Sequence, residues 1–248
     1  MSPTSRILGT LALLALAAPS AADAQTRRHQ FQVSINGGVQ AAGESFNDRL
    51  EFERFTETAT ADMDHAFDPG LMFDGSVGIT FRNAFGAALA VSRFTRDGSA
   101  RIDARIPHPF FDDRPRAISG EQSGVTRAET SVHAQATYTI DPRGPLRVVL
   151  SGGPSFVNAE QELVTELRYS ESYPFDEATF VTAGTRRSKA SGIGFNAGAD
   201  VTWMIGRTVG IGGLLRFTRA SVDLESESRT IPLQAGGLLA GAGLRLLF

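Results

Sequence analysis

The segment Leu238-Leu-Ala-Gly-Ala-Gly-Leu-Arg-Leu-Leu-Phe248 constrains this chain more than any other. Leu238, Ala240, Ala242, Leu244, Leu246 and Phe248 recur at period two, so an extended strand carries all six on one face. Gly241, Gly243 and Arg245 fall on the opposite face. A face that is apolar along its whole length must meet either a protein core or lipid. If it meets lipid, the rest of the chain has no need to cover it.

The front of the chain reads as a secretory leader. Arg6 and the amino terminus supply positive charge, Ile7 to Ala18 is an apolar run rich in Leu and Ala, and Pro19 breaks it. Ala22-Asp23-Ala24 then offers a small-residue cleavage site before Gln25. The run is too short to span a bilayer as a helix, and no other stretch approaches the roughly 18 apolar residues that would. Residues 1–24 are therefore expected to be a signal peptide and residues 25–248 a single domain. Cysteine is absent, which excludes a lipoprotein anchor at the cleavage site and any disulfide framework.

Composition narrows the class only by exclusion. A net charge of −3 leaves no basic footprint for nucleic acid. A mean hydropathy of −0.09 would suit a soluble protein, but also a barrel in which only alternate residues face lipid. Lys189 is the sole lysine, and arginine carries the remaining positive charge.

Alternation recurs along the chain. Strands are predicted at Phe31–Ala41, Leu71–Phe81, Phe85–Phe94, Thr126–Ile140, Leu146–Phe156, Gly192–Ile205, Thr208–Phe217 and Leu238–Phe248. Gly192–Ile205 is the cleanest: Ile193, Phe195, Ala197, Ala199, Val201, Trp203 and Ile205 share one phase. The connectors alternate between long and short. Long polar segments occupy Ala42–Gly70, Thr95–Gly124, Val157–Ser191 and Arg219–Pro232; tight turns occupy Arg82–Ala84, Asp141–Pro145 and Gly206–Arg207. This is the connectivity of an all-β, eight-stranded antiparallel up-and-down transmembrane β-barrel, with short turns and both termini at one end.

The aromatics follow that layout. Phe31, Phe81, Phe85, Tyr138, Trp203 and Phe248 lie on the outward phase beside a short turn or a terminus, as a lower girdle. Phe73, Phe156, Phe195 and Phe217 share the phase near the opposite strand ends, as an upper one. The inward phase carries Asp74, Glu129 and Asp200 against Arg147, Arg216 and Arg245, with His133 in the same register. An eight-stranded barrel is just wide enough for side chains to fill, so these charges are expected to pair as a lumen network. Asp200 and Arg216, on adjacent strands at similar height, are the expected direct pair.

With its Ala22-Asp-Ala24 leader end, eight alternating strands and Leu244-Arg-Leu-Leu-Phe248 terminus, the chain resembles the small bacterial outer-membrane β-barrel family that includes the OmpA transmembrane domain, OmpX and OmpW. The resemblance implies a bacterial outer-membrane location, contact with outer-membrane lipid and lipopolysaccharide, recognition of the C-terminal strand by the barrel-assembly machinery, and a monomer. It implies no cofactor. No peptidoglycan-binding domain is expected after the last strand. The long segments Thr95–Gly124 and Val157–Ser191 would hold strand extensions above the membrane, as in OmpX-like proteins.

Loop chemistry is sparse. The acidic stretch from Glu51 to Asp64, ending beside His65, lacks the glycine and terminal glutamate of a calcium loop, and reads as solvated charge. His108 beside Phe110, Phe111, Asp112 and Asp113 is a weak metal signal, and neither it nor His65 has the spacing of a nucleophile–base pair, so no enzyme is expected. Phe110, Phe111, Tyr169 and Tyr173 suit adhesion or packing of the extensions. Two functions remain. A plugged barrel would act through its outer loops. A narrow passive conduit for small or hydrophobic solutes, OmpW-like, is favoured by the inward glycines Gly78, Gly86, Gly198, Gly212, Gly241 and Gly243. A soluble secreted sandwich is the third, weaker option.

Overall fold

The computed structural model describes residues 30–40, 45–81, 84–141, 144–226 and 229–248. The expected signal peptide with its Ala24 end, and turn residues 82–83 and 142–143, lie outside the described residues. Among the described residues there are ten strands: β1 Gln30–Gln40, β2 Phe46–Arg54, β3 Glu57–Phe67, β4 Gly70–Thr80, β5 Phe85–Ile106, β6 Arg116–Ile140, β7 Leu146–Glu171, β8 Ala178–Met204, β9 Val209–Ser226 and β10 Arg229–Leu247.

Eight of them close a ring. β1 pairs with both β4 and β10, β5 with both β4 and β6, and β6 to β10 follow in sequence, all antiparallel. At the seam, Phe31 N–H donates to the Phe248 carbonyl at 3.0 Å and Phe248 N–H returns a bond to Phe31 at 2.9 Å. Glycine lets β1 and β10 approach there, since a Cβ on Gly243 would lie 1.8 Å from the Ile35 carbonyl oxygen. The termini of the ring, the strand ends on either side of 82–83 and 142–143, and the turn at 205–208 share one end.

At the opposite end the four long segments are largely strand; extensions are expected at Thr95–Gly124 and Val157–Ser191, whereas the strands within 42–70 and Arg219–Pro232 correct their reading as polar connectors. Segment 42–70 holds the hairpin β2–β3, turned through Phe55 and Thr56 at φ of 52° and 65°, the left-handed pair that a two-residue type I′ turn requires. β3 joins the sheet above β4: Leu71 pairs with Thr95 on the lower part of β5, while Phe67 pairs with Gly98 and Thr60 with Arg105 on its upper part. The other three segments are extensions of the ring strands. β5, β6, β7 and β8 are 22, 25, 26 and 27 residues long, where about ten suffice to cross a bilayer. β8 therefore runs roughly 55 Å beyond a bilayer's worth of strand at about 3.3 Å per residue.

Along these strands the two faces exchange character. On β5 the outward side chains are Phe85, Ala87, Leu89 and Val91, then Arg93, Thr95, Asp97, Arg101, Asp103 and Arg105. The inward ones run from Ser92 to Ala100, Ile102, Ala104 and Ile106, all buried. β9 does the same, with Ile211, Leu215 and Phe217 giving way outward to Arg219, Ser221 and Asp223, and Arg216 and Thr218 giving way inward to Ala220, Val222 and Leu224. The lower half is apolar outside and polar inside; the upper half is the reverse, as a protein in water is.

The upper inward residues form two apolar clusters. One joins Ala59, Ala61, Met63 and Phe67 to Ala100, Ile102, Ala104, Ile106, Ile118, Val125, Val164 and Ala183. The other, from β7 to β10, holds Val157, Ala159, Leu163, Ala190, Ala220, Val222, Leu224, Ile231, Leu233 and Ala235. We call this upper half the head.

Candidate functional site

The lower lumen is filled by side chains joined in chains of hydrogen bonds. Arg216 on β9 donates to Asp74 on β4, and Asn36 Nδ2 donates to the same carboxylate at 3.0 Å. Arg245 Nη1 donates to Asn36 Oδ1 at 2.6 Å, and Arg245 also grips Asp200, which accepts from Thr202 at 2.9 Å. The series Arg216–Asp74–Asn36–Arg245–Asp200 thus alternates charge across the barrel. Removal of a buried ion from water is tolerated only with such compensation.

The expected direct pair of Asp200 with Arg216 is not formed. Arg216 stands opposite Gly198, one register step from Asp200, and reaches across the lumen to Asp74 instead. Asp200 is taken by Arg245, which crosses β9 over Gly212, where a Cβ would lie 2.9 Å from its Nε. The inward glycines therefore open no passage. A Cβ at Gly86 would meet Thr137 Oγ1 at 2.7 Å, and one at Gly241 would meet Met72 Cε at 3.0 Å. Glycine here admits a neighbour's side chain or backbone.

The other sequence-predicted lumen residues occupy separate clusters. His133, fully buried, lies between Ser92 Oγ at 3.0 Å and Ser155 Oγ at 2.8 Å. Beside it, Gln135 donates to Asn196, whose Nδ2 donates to Ser155 at 2.8 Å. Arg147 sits at the end with the short turns, donating to Gln30 at 2.5 Å and to Thr80 at 3.3 Å. Glu129 is higher, bound by Arg127 two residues before it and by the Gly236 N–H at 2.8 Å. Arg96 nearby lies over the rings of Phe67 and Phe94, at 4.8 and 5.7 Å. Sequence reasoning missed Asn36 and Arg127. Arg127 shares the inward phase with Glu129 and was legible; Asn36 became a bridge only through the β1–β10 closure. A cavity of about 50 Å3, lined in part by Ser34, Asp74, Gln135 and Arg216, remains below the network.

Outside, all ten sequence-selected aromatics project from the ring: Phe31, Phe81, Phe85, Tyr138, Trp203, Phe248, Phe73, Phe156, Phe195 and Phe217. Ile35, Leu71, Val77, Leu89, Ile193 and Leu244 are exposed among them. A contiguous apolar band around a closed ring with an ionic interior has lipid as its counterpart. The chain has the fold of the small outer-membrane β-barrels. Among solved structures it is similar to Neisserial surface protein A at 12% identity, over 90% of this chain and 100% of that one, with a TM-score of 0.46. It is similar to the outer membrane protein OprG from Pseudomonas aeruginosa at 6% identity, over 90% and 97%, with a TM-score of 0.45. It is also similar to Ail, the attachment invasion locus protein of Yersinia pestis, at 12% identity, over 88% and 98%, with a TM-score of 0.39. No family model and no curated protein matches the sequence.

Above the barrel, the acidic stretch around Glu51–Asp64 is the β2–β3 hairpin. Its outer face carries a bidentate Arg49–Asp62 pair at 2.7 and 3.1 Å, which holds the Asp62 carboxyl below its ordinary range. His65 is buried in the head, stacked on Phe46 at 4.4 Å. His108 accepts the Phe110 N–H at 3.1 Å and packs against Phe111. Phe110, Phe111 and Tyr173 are exposed at the tip, Tyr173 by 83%, and Phe110 meets Phe175 edge-on. Among the described residues no group of His, Asp and Glu side chains is placed to hold a metal ion.

Proposed function

We propose that this chain is an outer-membrane barrel with a closed lumen, and that its role is surface interaction through the head. One observation carries the reading. Above the ionic network the inward side chains are first Arg96, Arg127 and Glu129 and then the two apolar clusters, so a straight path along the lumen would have to enter a packed hydrophobic core. The ionic network below supports the same reading, because each charge in its path is fixed by a partner rather than presented to a solute. Export by a signal peptide ending near Ala24, seating of the aromatic girdles at the two lipid interfaces, contact of the outer belt with lipopolysaccharide, and insertion as a monomer by the assembly machinery through β10 belong to this proposal.

A narrow conduit for small solutes is the second reading, and it rests on the cavity above the short turns. Planar-bilayer recording separates the two. We expect no steady conductance from the wild type or from Asp74→Ala with Arg216→Ala, because the apolar clusters remain. Steady single-channel steps from the wild type would overturn the closed lumen and favour the conduit.

A further inference from the structure

Among the described residues the head is not a closed ring. There, β2 pairs with β3 alone along Leu50–Arg54. β7 pairs with β6 no higher than the Arg127–Gln161 step, and its residues 166–171 pair, among the described residues, with β8 alone. Between the two unpaired edges lies a cleft of about 550 Å3, lined by Leu50, Phe52, Glu53 and Arg54 on one side and by 165–169 and Glu171 on the other. Consecutive residues of β7 line it, across the two register shifts of the β7–β8 ladder at Val164/Glu166 and Arg168/Tyr169. On the floor, Leu50, Phe52, Leu167 and Tyr169 pack against the larger apolar cluster but stay partly exposed.

We propose that this cleft receives one extended peptide segment of a partner protein, added as a strand between β2 and β7. The inference rests on the surface-interaction reading and names its site and partner chemistry. Backbone direction supports it. The two-residue turn makes Arg54 and Glu57 a hydrogen-bonded pair, so even-numbered residues of β2 address β3, and Glu51 and Glu53 direct their N–H and C=O groups into the cleft. An added extended backbone is complementary to such a row of alternating donors and acceptors. Charge supports it too. Across the cleft Glu166 is paired with Arg168 at 3.6 Å and Glu171 with Arg116 at 2.6 Å, and Arg54 donates to Tyr169 at 3.1 Å. Glu53 has no ion pair among the described residues, and the exposed Glu51 stands beside it on the same outward phase. Directly opposite charges favour a cross-strand pair. The fitting segment therefore alternates apolar residues, directed at Leu50 and Leu167, with basic ones facing outward beside Glu51 and Glu53.

The test uses the full chain folded in lipid nanodiscs and an end-capped hexapeptide alternating lysine and valine. We expect binding with slowed solvent exchange of the Glu51 and Glu53 amide hydrogens, and weaker binding of a glutamate–valine peptide. Glu53→Pro removes a cleft-facing N–H without touching the β3 ladder, and should weaken the lysine–valine peptide at least about tenfold. Glu53→Lys keeps the backbone and should narrow or reverse the preference for lysine over glutamate. Absence of binding by both alternating peptides, binding without amide protection, or occupation of the cleft by a second copy of this chain in sedimentation would each overturn the proposal. In a barrel that does not conduct, such a result removes the strand slot alone; steady conductance removes the reading beneath it.

Discussion

The barrel and the head are built from the same strands under opposite rules. In the barrel, Leu89 and Val91 face outward while Asp74, Arg216 and Arg245 are buried. In the head, continuing along β5, Arg101 and Asp103 face outward while Ala100, Ile102 and Ala104 are buried. The strand geometry is unchanged, since its side chains still alternate. What changes is the solvent on the outside, lipid below and water above. Each half places on its outer surface what its own surroundings accept and inside what they reject. A strand can therefore pass from membrane to water without a break, provided its two phases trade composition within a few residues.

Loss of one member of the lumen network should have the largest effect. Asp74→Ala leaves Arg216 buried without its carboxylate, and we expect about 3–5 kcal/mol of destabilisation, read by urea unfolding in lipid. A value near zero would mean that water in the lumen carries the charge and that the barrel interior is less dry than its side chains suggest. In the head, Leu163→Ala should cost about 2–5 kcal/mol, but locally. Protease should then cut the upper part of β7 and β8 while the unboiled protein keeps its shifted mobility in SDS gels. Simultaneous loss of both would show the two halves to be one cooperative unit.

Two substitutions on one strand sharpen the contrast. Leu89→Arg, outward in the barrel, should cost about 2–4 kcal/mol near the bilayer centre. Arg101→Leu, outward in the head, should stay within about 0.5 kcal/mol. Equal effects would erase the distinction between the halves. The smallest effect is a pH dependence confined to the head. Burial pushes the Glu162 carboxyl up, but the Thr126 backbone and hydroxyl and Arg187 outweigh it and hold the group below its ordinary value. A carboxyl lowered on folding adds stability that is complete above its ordinary value and is lost as pH falls through the folded one. The protection of the Thr126 amide against hydrogen exchange, taken relative to the intrinsic rate at each pH, should accordingly fall on acidification below that range, and Glu162→Gln should abolish the change.

The barrel was legible in the sequence because lipid demands apolar residues at every second position, and Ile193 to Ile205 satisfies that without exception. The head was legible only as strand extensions in Thr95–Gly124 and Val157–Ser191, and its packed interior was not, for a physical reason. Its inward phase uses small residues, as in Ala59-x-Ala61-x-Met63 and Ala100-x-Ile102-x-Ala104, between charges on the outward phase, so the whole stretch reads as a polar loop. The signal was present as an alternation that continues from Phe85 to Ile106 while its polarity flips. The charged residues of the lumen were legible by phase, but their pairing was not. Asp200 and Arg216 are neighbours in sequence topology, whereas Asp74 and Arg216 meet only across the closed ring, and Arg245 reaches Asp200 only because position 212 has no side chain.

The exchange of faces along β5 is most directly tested by spin labels on single cysteines, which the cysteine-free chain accepts without background. Labels at Leu89 and Val91 should be relaxed by oxygen dissolved in lipid, labels at Arg101 and Asp103 by a water-soluble nickel complex, and a label at Ile102 by neither. Lipid access at Arg101 and Asp103, or free access of the nickel complex to Ile102, would contradict a head that is packed inside and wet outside.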